Sequence, residues 1–205
     1  MHATDIVVSC LMPRAYHHGE LRAALVDAAR ELLAERGAFS VAEVARRCGV
    51  SSAAPYRHFP DRAALQAEVA LAVAGELRAE VVAATAAHED PDRRRAEAAA
   101  AYTGYSIRHR AGLHVVFAAE LSGDRFPELR RAARELIDEY LALCFAAAPS
   151  AQRALLLMEQ LLTQAHGYAT FYLDGVLSLQ GYDVDVVCRK SAEAAMTTIL
   201  GARHS

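Results

Sequence analysis

The residues best able to do chemistry in this chain are crowded between Arg46 and Arg62: Arg46, Arg47, Tyr56, Arg57, His58 and Arg62, with Asp61 the single acid among them. A local excess of guanidinium groups suits contact with a polyanion. Neutralised phosphates supply most of the sequence-independent affinity of proteins for nucleic acid. Arg57 can in addition grip a guanine edge with two hydrogen bonds, and chemistry alone leaves it open to either role.

The elements that must position these side chains are legible in Ser40 to Leu65, SVAEVARRCGVSSAAPYRHFPDRAAL. Ser40 and Glu43 have the S-x-x-E spacing of a capping box at a helix start. Val41, Val44, Ala45 and Cys48 then recur as one apolar face of a helix about two turns long. Gly49 stops that helix, because glycine tolerates the left-handed backbone a tight exit needs, and Val50 folds back as the apolar contact beneath the turn. Ser51 or Ser52 caps a second helix. Pro55 is tolerated there, since backbone N–H groups in a first turn have no intrahelical partner. Pro60-Asp61 ends this helix and caps the next.

Two short helices joined by a glycine turn form a helix-turn-helix, whose second helix can enter the major groove of DNA. The alternative is a helical hairpin in an ordinary all-α core, with the arginines forming a solvated face. The run from Tyr16 to Leu65 resembles the N-terminal domain of TetR-family transcriptional regulators, most densely at Gly49-Val50-Ser51, Tyr56, His58-Phe59, Arg62 and Leu65. The resemblance implies an all-α protein of about nine helices: a three-helix DNA-binding domain, then a C-terminal helical domain for effector binding and dimerisation. It implies a recognition helix from Ser52 to His58, groove-facing Ser52, Ala53, Ala54, Tyr56, Arg57 and His58, and a phosphate contact at Arg62. Arg46 joins them as a nearby cation. On that reading Ala53 and Ala54 approach a thymine methyl closely, while Tyr56 and His58 each offer one hydrogen bond to phosphate. The segment Gln164-Ala165-His166-Gly167-Tyr168 resembles the His-Gly motif of one TetR subgroup, although the tryptophan that often precedes that motif is absent from this chain.

Composition fits such a protein. The 205 residues carry a net charge of –3, but residues 1–62 hold eight arginines and seven acids, so the anionic excess lies further along the chain. No apolar run is long enough to span a membrane, and the first residues lack the features of a secretory signal, which predicts a cytoplasmic protein. Residues 1–15 read as a mobile arm whose Arg14 tracks DNA, residues 16–62 as the helix-turn-helix domain and residues 63–205 as the ligand-binding and dimerisation domain. Cys10, Cys48, Cys144 and Cys188 are widely spaced, with no C-x-x-C pair, and predict neither a zinc site nor a disulfide frame. No cofactor or metal is expected.

Leu21, Leu25, Ala28 and Leu32 mark a helix from Glu20 to Arg36, closed by Gly37. Leu65, Val69, Val73, Leu77 and Val81 share a face of a long helix from Asp61 to about Ala87, broken at His88-Glu89-Asp90-Pro91. Further helices are read at about 91–110, 112–121, 127–147, 151–178 and 184–201. Leu155 to Ala169 is apolar nearly all round and is expected to be buried on several sides. Val184, Val187, Ser191, Ala195 and Thr198 form a narrow face of small residues. Helices 151–178 and 184–201 are therefore the expected homodimer interface, a four-helix contact between two chains.

For a small, largely apolar effector the candidates are Tyr102, Tyr105, His109, His114, Phe117, Tyr140, His166 and Phe171, aromatic walls with a few polar tips. Each is equally open to a plain core role. A helical enzyme built on Cys144 or His166 is the competing class, but the chain has no nucleophile elbow, no H-E-x-x-H and no phosphate-cradling glycine loop. A dimeric ligand-binding protein without specific DNA recognition is a further alternative. The expected partners are thus an operator duplex, a small molecule and a second copy of the chain.

Overall fold

The computed structural model describes residues 18–146 and 148–202. The arm at residues 1–15, Arg14 included, lies outside them. Every regular element among the described residues is helical: eight α-helices and three short 3-10 turns. The chain divides into two compact units, Met1–Leu65 and Gln66–Ser205.

In the first unit, α1 (His18–Arg36) and α2 (Val41–Arg47) are followed by a 3-10 turn, Pro55–Arg57, and by the start of α3 (Arg62–Ala86). The α1 stripe buries Leu25, Ala28, Ala29 and Leu32, and α2 buries Val41, Val44 and Ala45. Each large aliphatic side chain so buried contributes about 1.5–3 kcal/mol of transfer free energy. Phe39, Pro55, Phe59 and Leu65 complete this small core. Arg47 spans Glu31 and Glu35 of α1 at 3.2 and 2.8 Å, and Arg36 pairs with Glu43. These pairs are exposed and add little stability, but they orient α2 against α1.

The second unit is built around α4 (Pro91–His109), which packs chiefly on α8 (Val184–Ala202) and α7 (Ala151–Leu173) and also meets α6 (Pro127–Phe145). Asp90 caps α4 by accepting from the Asp92 N–H, and Pro91 occupies its first turn. Small residues allow the close approach: Ala96, Ala98, Ala99 and Gly104 of α4 are buried, as are Ala165 and Ala169 of α7. At their meeting point the Thr103 hydroxyl lies 2.8 Å from Ser191 Oγ and 3.2 Å from the Ala165 carbonyl. The α3 face Val69, Val73, Leu77 and Val81 is buried throughout. Arg78 of α3 pairs with Glu139 of α6 at 2.7 Å.

Several expected helices are shorter. The segment 112–121 yields only α5 (Leu113–Val116) and a 3-10 turn at Ala119–Leu121. Helix 151–178 stops at Leu173, where Asp174 closes α7 and Gly175 takes a left-handed conformation (φ +86°). α7 is not buried on several sides: one stripe, Ala154, Leu157, Leu161, Ala165 and Ala169, is covered, while Leu155 and Leu156 are 49% and 43% exposed. The small-residue face of α8 is covered within the chain itself. Val187, Ser191 and Ala195 are buried, and Thr198 Oγ1 accepts a 2.8 Å hydrogen bond from the Gln164 side chain.

Candidate functional site

The exit from α2 explains how the basic hairpin holds its shape. Ser40 Oγ accepts from the Glu43 N–H at 3.2 Å and the Glu43 carboxylate accepts from the Ser40 N–H at 2.9 Å, the reciprocal capping box. Those bonds, with Arg36 nearby, hold the Glu43 carboxyl below its ordinary range. At the other end Gly49 sits at φ +69°, with its N–H on the Arg46 carbonyl and the Val50 N–H on the Ala45 carbonyl. This pair of bonds is the Schellman closure that a left-handed residue permits.

The segment after the turn differs from expectation. Ser52 to His58 is not an α-helix: residues 52–54 form a turn and Pro55–Arg57 a single 3-10 turn. Neither Ser51 nor Ser52 caps it by a side chain; the Ser51 carbonyl accepts from Ala54 N–H at 3.0 Å. Pro55 has no N–H to return to Ser51, so the chain closes with tighter bonds, Arg57 to Ala54 and His58 to Pro55. Pro55 itself is buried, which anchors the turn and sends its neighbours outward.

Ser52, Ala53, Tyr56, Arg57, Arg46 and Arg62 are exposed, Tyr56 by 55%. Ala54 and His58 are half-buried, the His58 ring tilted 6.4 Å from that of Phe59. The Arg62 guanidinium lies 5.7 Å from the centre of the Phe39 ring, and Asp61 accepts from the Ala64 N–H to start α3. Arg47 is committed to Glu31 and Glu35, whereas Arg57 makes no ion pair among the described residues. The anchored turn thus presents the Arg57 guanidinium to solvent without spending it on the protein.

In the second unit the eight aromatic and histidine candidates separate into four environments. Tyr102, His114 and His166 come together: the Tyr102 hydroxyl lies 2.9 Å from His166 Nδ1, and the two imidazole centres are 6.1 Å apart. Burial raises the Tyr102 pKa, while partial burial and the adjacent His166 hold His114 below the ordinary histidine range. A cavity of about 230 Å³ opens beside them, lined by Ser106, His114, His166, Ala169, Thr170 and Leu173. Tyr105 turns elsewhere, donating to Glu76 at 2.9 Å and lying 4.4 Å from the His109 ring. Tyr140 is buried beside Arg95, Cys144 and Met158 at a void of about 10 Å³, room for one water at most. Phe117 and Phe171 are 54% and 56% exposed and line none of these spaces.

Ser106, Thr170 and Gly112 did not stand out in the sequence. Ser106 follows Tyr102, and Thr170 follows His166, by one helical turn, which places each pair on a common face. Gly112 packs against the same group: a Cβ there would lie 2.8 Å from Ser106 Oγ and 3.0 Å from the Tyr102 hydroxyl.

An all-helical chain whose first unit presents a basic helix-turn-helix and whose second is a separate helical bundle defines a class of DNA-binding regulators. Residues 25–69 match the model of bacterial regulatory proteins of the tetR family, and residues 95–198 match the tetracyclin repressor-like C-terminal domain. The chain belongs to the TetR family and is a transcriptional regulator. A solved protein of unknown function from Rhodococcus sp. RHA1 is 28% identical over 90% of this chain and 97% of its own, with a TM-score of 0.71. A transcriptional regulator from the same organism is 21% identical, covers 88% of this chain and 96% of its own, and superposes with a TM-score of 0.65. FadR from Bacillus subtilis, solved in complex with stearoyl-CoA, is 16% identical over 86% and 98% of the two chains, with a TM-score of 0.60. No curated protein matches the chain. Among the described residues no helix is long and apolar enough to cross a membrane.

Proposed function

We propose that the protein is a cytoplasmic homodimeric repressor that occludes a promoter by binding a palindromic operator and leaves it when a small molecule enters the second unit. The observation that carries this reading is the exposed turn at Ser52 to Arg57, held by the Gly49 closure and the buried Pro55, with Arg46, Arg57 and Arg62 turned to solvent. Residues 16–62 read the operator and residues 63–205 bind the effector and the second subunit. A two-fold dimer sets its two reading turns about 34 Å apart, one turn of DNA.

The outward sides of α7 and α8 favour that dimer. Leu155, Leu156 and Leu200 are exposed there, and a groove of about 610 Å³ runs between Leu156 and Gln160 of α7 and Thr198 and Gly201 of α8. Because the small-residue face of α8 is already covered, the second subunit meets these larger side chains instead. The effector site is the space beside Tyr102, His114 and His166, a cavity of about 230 Å³. An effector acts only by binding one spacing of the dimer more tightly than the other, with α3 carrying the change.

The test is an electrophoretic shift with duplex DNA from the chain's own upstream region, paired with sedimentation of the free protein. A salt-sensitive shift by a dimer is expected. No shift at low salt, or a monomer on the DNA, overturns the reading.

A further inference from the structure

The cavity beside α5 has a chemical bias that its position alone does not require. Ser106 is only 4% exposed, lines the cavity, and its hydroxyl meets no hydrogen-bond partner of acceptable geometry among the described residues. A buried hydroxyl without a partner costs free energy that an incoming acceptor recovers.

The proton positions around it follow from the same geometry. The Leu113 N–H points at the Tyr102 oxygen at 3.4 Å, and Tyr102 lies 2.9 Å from His166 Nδ1. His166 Nδ1 is the nearest acceptor for the Tyr102 proton, and the pair can be joined with Tyr102 as the donor. With Tyr102 as the donor in that bond, His166 presents Nε2–H to the cavity.

The titratable groups lining this space are His114 from α5 and His166 from α7, with Tyr102 of α4 against His166. Thr170 adds a hydroxyl, and no carboxylate, lysine or arginine is among the lining residues. Two imidazoles thus face one cavity with each other as neighbours and no countercharge. A cavity of about 230 Å³ has room for a small organic molecule.

We infer that this cavity binds a small organic acid, its carboxylate taking hydrogen bonds from Ser106 Oγ, His166 Nε2 and Thr170 Oγ1 and its apolar remainder lying on Ala169 and Leu173. The inference rests on the reading of this unit as the effector domain. The acid supplies the missing countercharge, so one of the two imidazoles gains a proton on binding. An amide of the same shape supplies no charge and leaves both neutral.

Matched acid and amide pairs test it: propionate with propionamide, hexanoate with hexanamide, benzoate with benzamide. Each is titrated calorimetrically into the full-length protein at pH 7 in two buffers of different ionisation heat. At least one acid should bind about tenfold tighter than its amide, since charge-assisted hydrogen bonds are roughly twice as strong as neutral ones. Binding should take up a fraction of a proton, lost in His114→Asn and His166→Asn. Ser106→Ala should weaken the acid about fivefold or more while leaving the thermal midpoint of the free protein unchanged or raised, because it removes an unpartnered buried hydroxyl. Equal or tighter binding of the amides, binding without proton uptake, no binding of any of the acids, or an unchanged affinity in Ser106→Ala each overturns the inference. Operator binding of the unliganded protein, measured alongside, reports separately on the regulator reading.

Discussion

The Tyr102 hydroxyl and His166 Nδ1 lie 2.9 Å apart, tying the centre of α4 to the C-terminal half of α7. The two residues are far apart in sequence and belong to helices whose small side chains let the backbones approach. That contact turns three of eight aromatic and histidine candidates into one cavity wall and leaves the others to different environments.

The hairpin separates arginines by role. Arg57→Ala should lower operator affinity by about 1–3 kcal/mol, roughly 5- to 150-fold, with little change in stability. Combined with His58→Ala the loss should exceed about 20-fold. Arg47→Ala should instead lower the melting temperature slightly, because its partners Glu31 and Glu35 belong to the same unit. Fluorescence anisotropy with labelled operator, alongside thermal melts, measures both.

Two glycines should respond to alanine with opposite sign. Gly49 is at φ +69°, where a Cβ costs about 1–2 kcal/mol. Gly75 is in the interior of α3, and a Cβ added there would meet nothing within 4 Å, so Gly75→Ala should stabilise by about 0.5–1 kcal/mol. Urea unfolding of the two variants checks the pair; destabilisation by Gly75→Ala contradicts an open flank at that position.

Stability should decline as pH falls through the histidine range. Burial and His166 depress the His114 pKa in the folded state, so the unfolded chain binds its proton first. The His114 contribution is therefore present above the unfolded value of about 6.5 and is lost as pH drops below it. His114→Asn should flatten this part of the curve of melting temperature against pH. An unchanged curve contradicts the assignment.

Cys144 offers a direct check on thiol chemistry. Burial pushes its pKa up to about 11, against the opposing pull of Arg95, and the side chain is almost fully covered. Iodoacetamide at pH 7.5 should leave it unmodified in the folded protein and alkylate it in urea, since the thiolate is the reactive form. Rapid labelling of native protein, read by mass spectrometry, would contradict that burial.

Local features of this protein were written in the sequence because their causes span only a few residues. The Ser40–Glu43 box, the left-handed Gly49 and the Leu65 to Val81 stripe each depend on near neighbours and appear as read. Pro55 shows the edge of that legibility: its place in a first turn was readable, but the missing N–H tightened the whole segment into a 3-10 turn. Tertiary structure decided the rest. Periodicity tells that α7 and α8 have apolar or small faces, not which element covers them, and α4 claimed Ser191 and Ala165 that looked suited to a partner chain. The cavity was beyond reach for the same reason. Ser106, Gly112 and Thr170 are ordinary residues until α4, α5 and α7 fold together around His114 and His166.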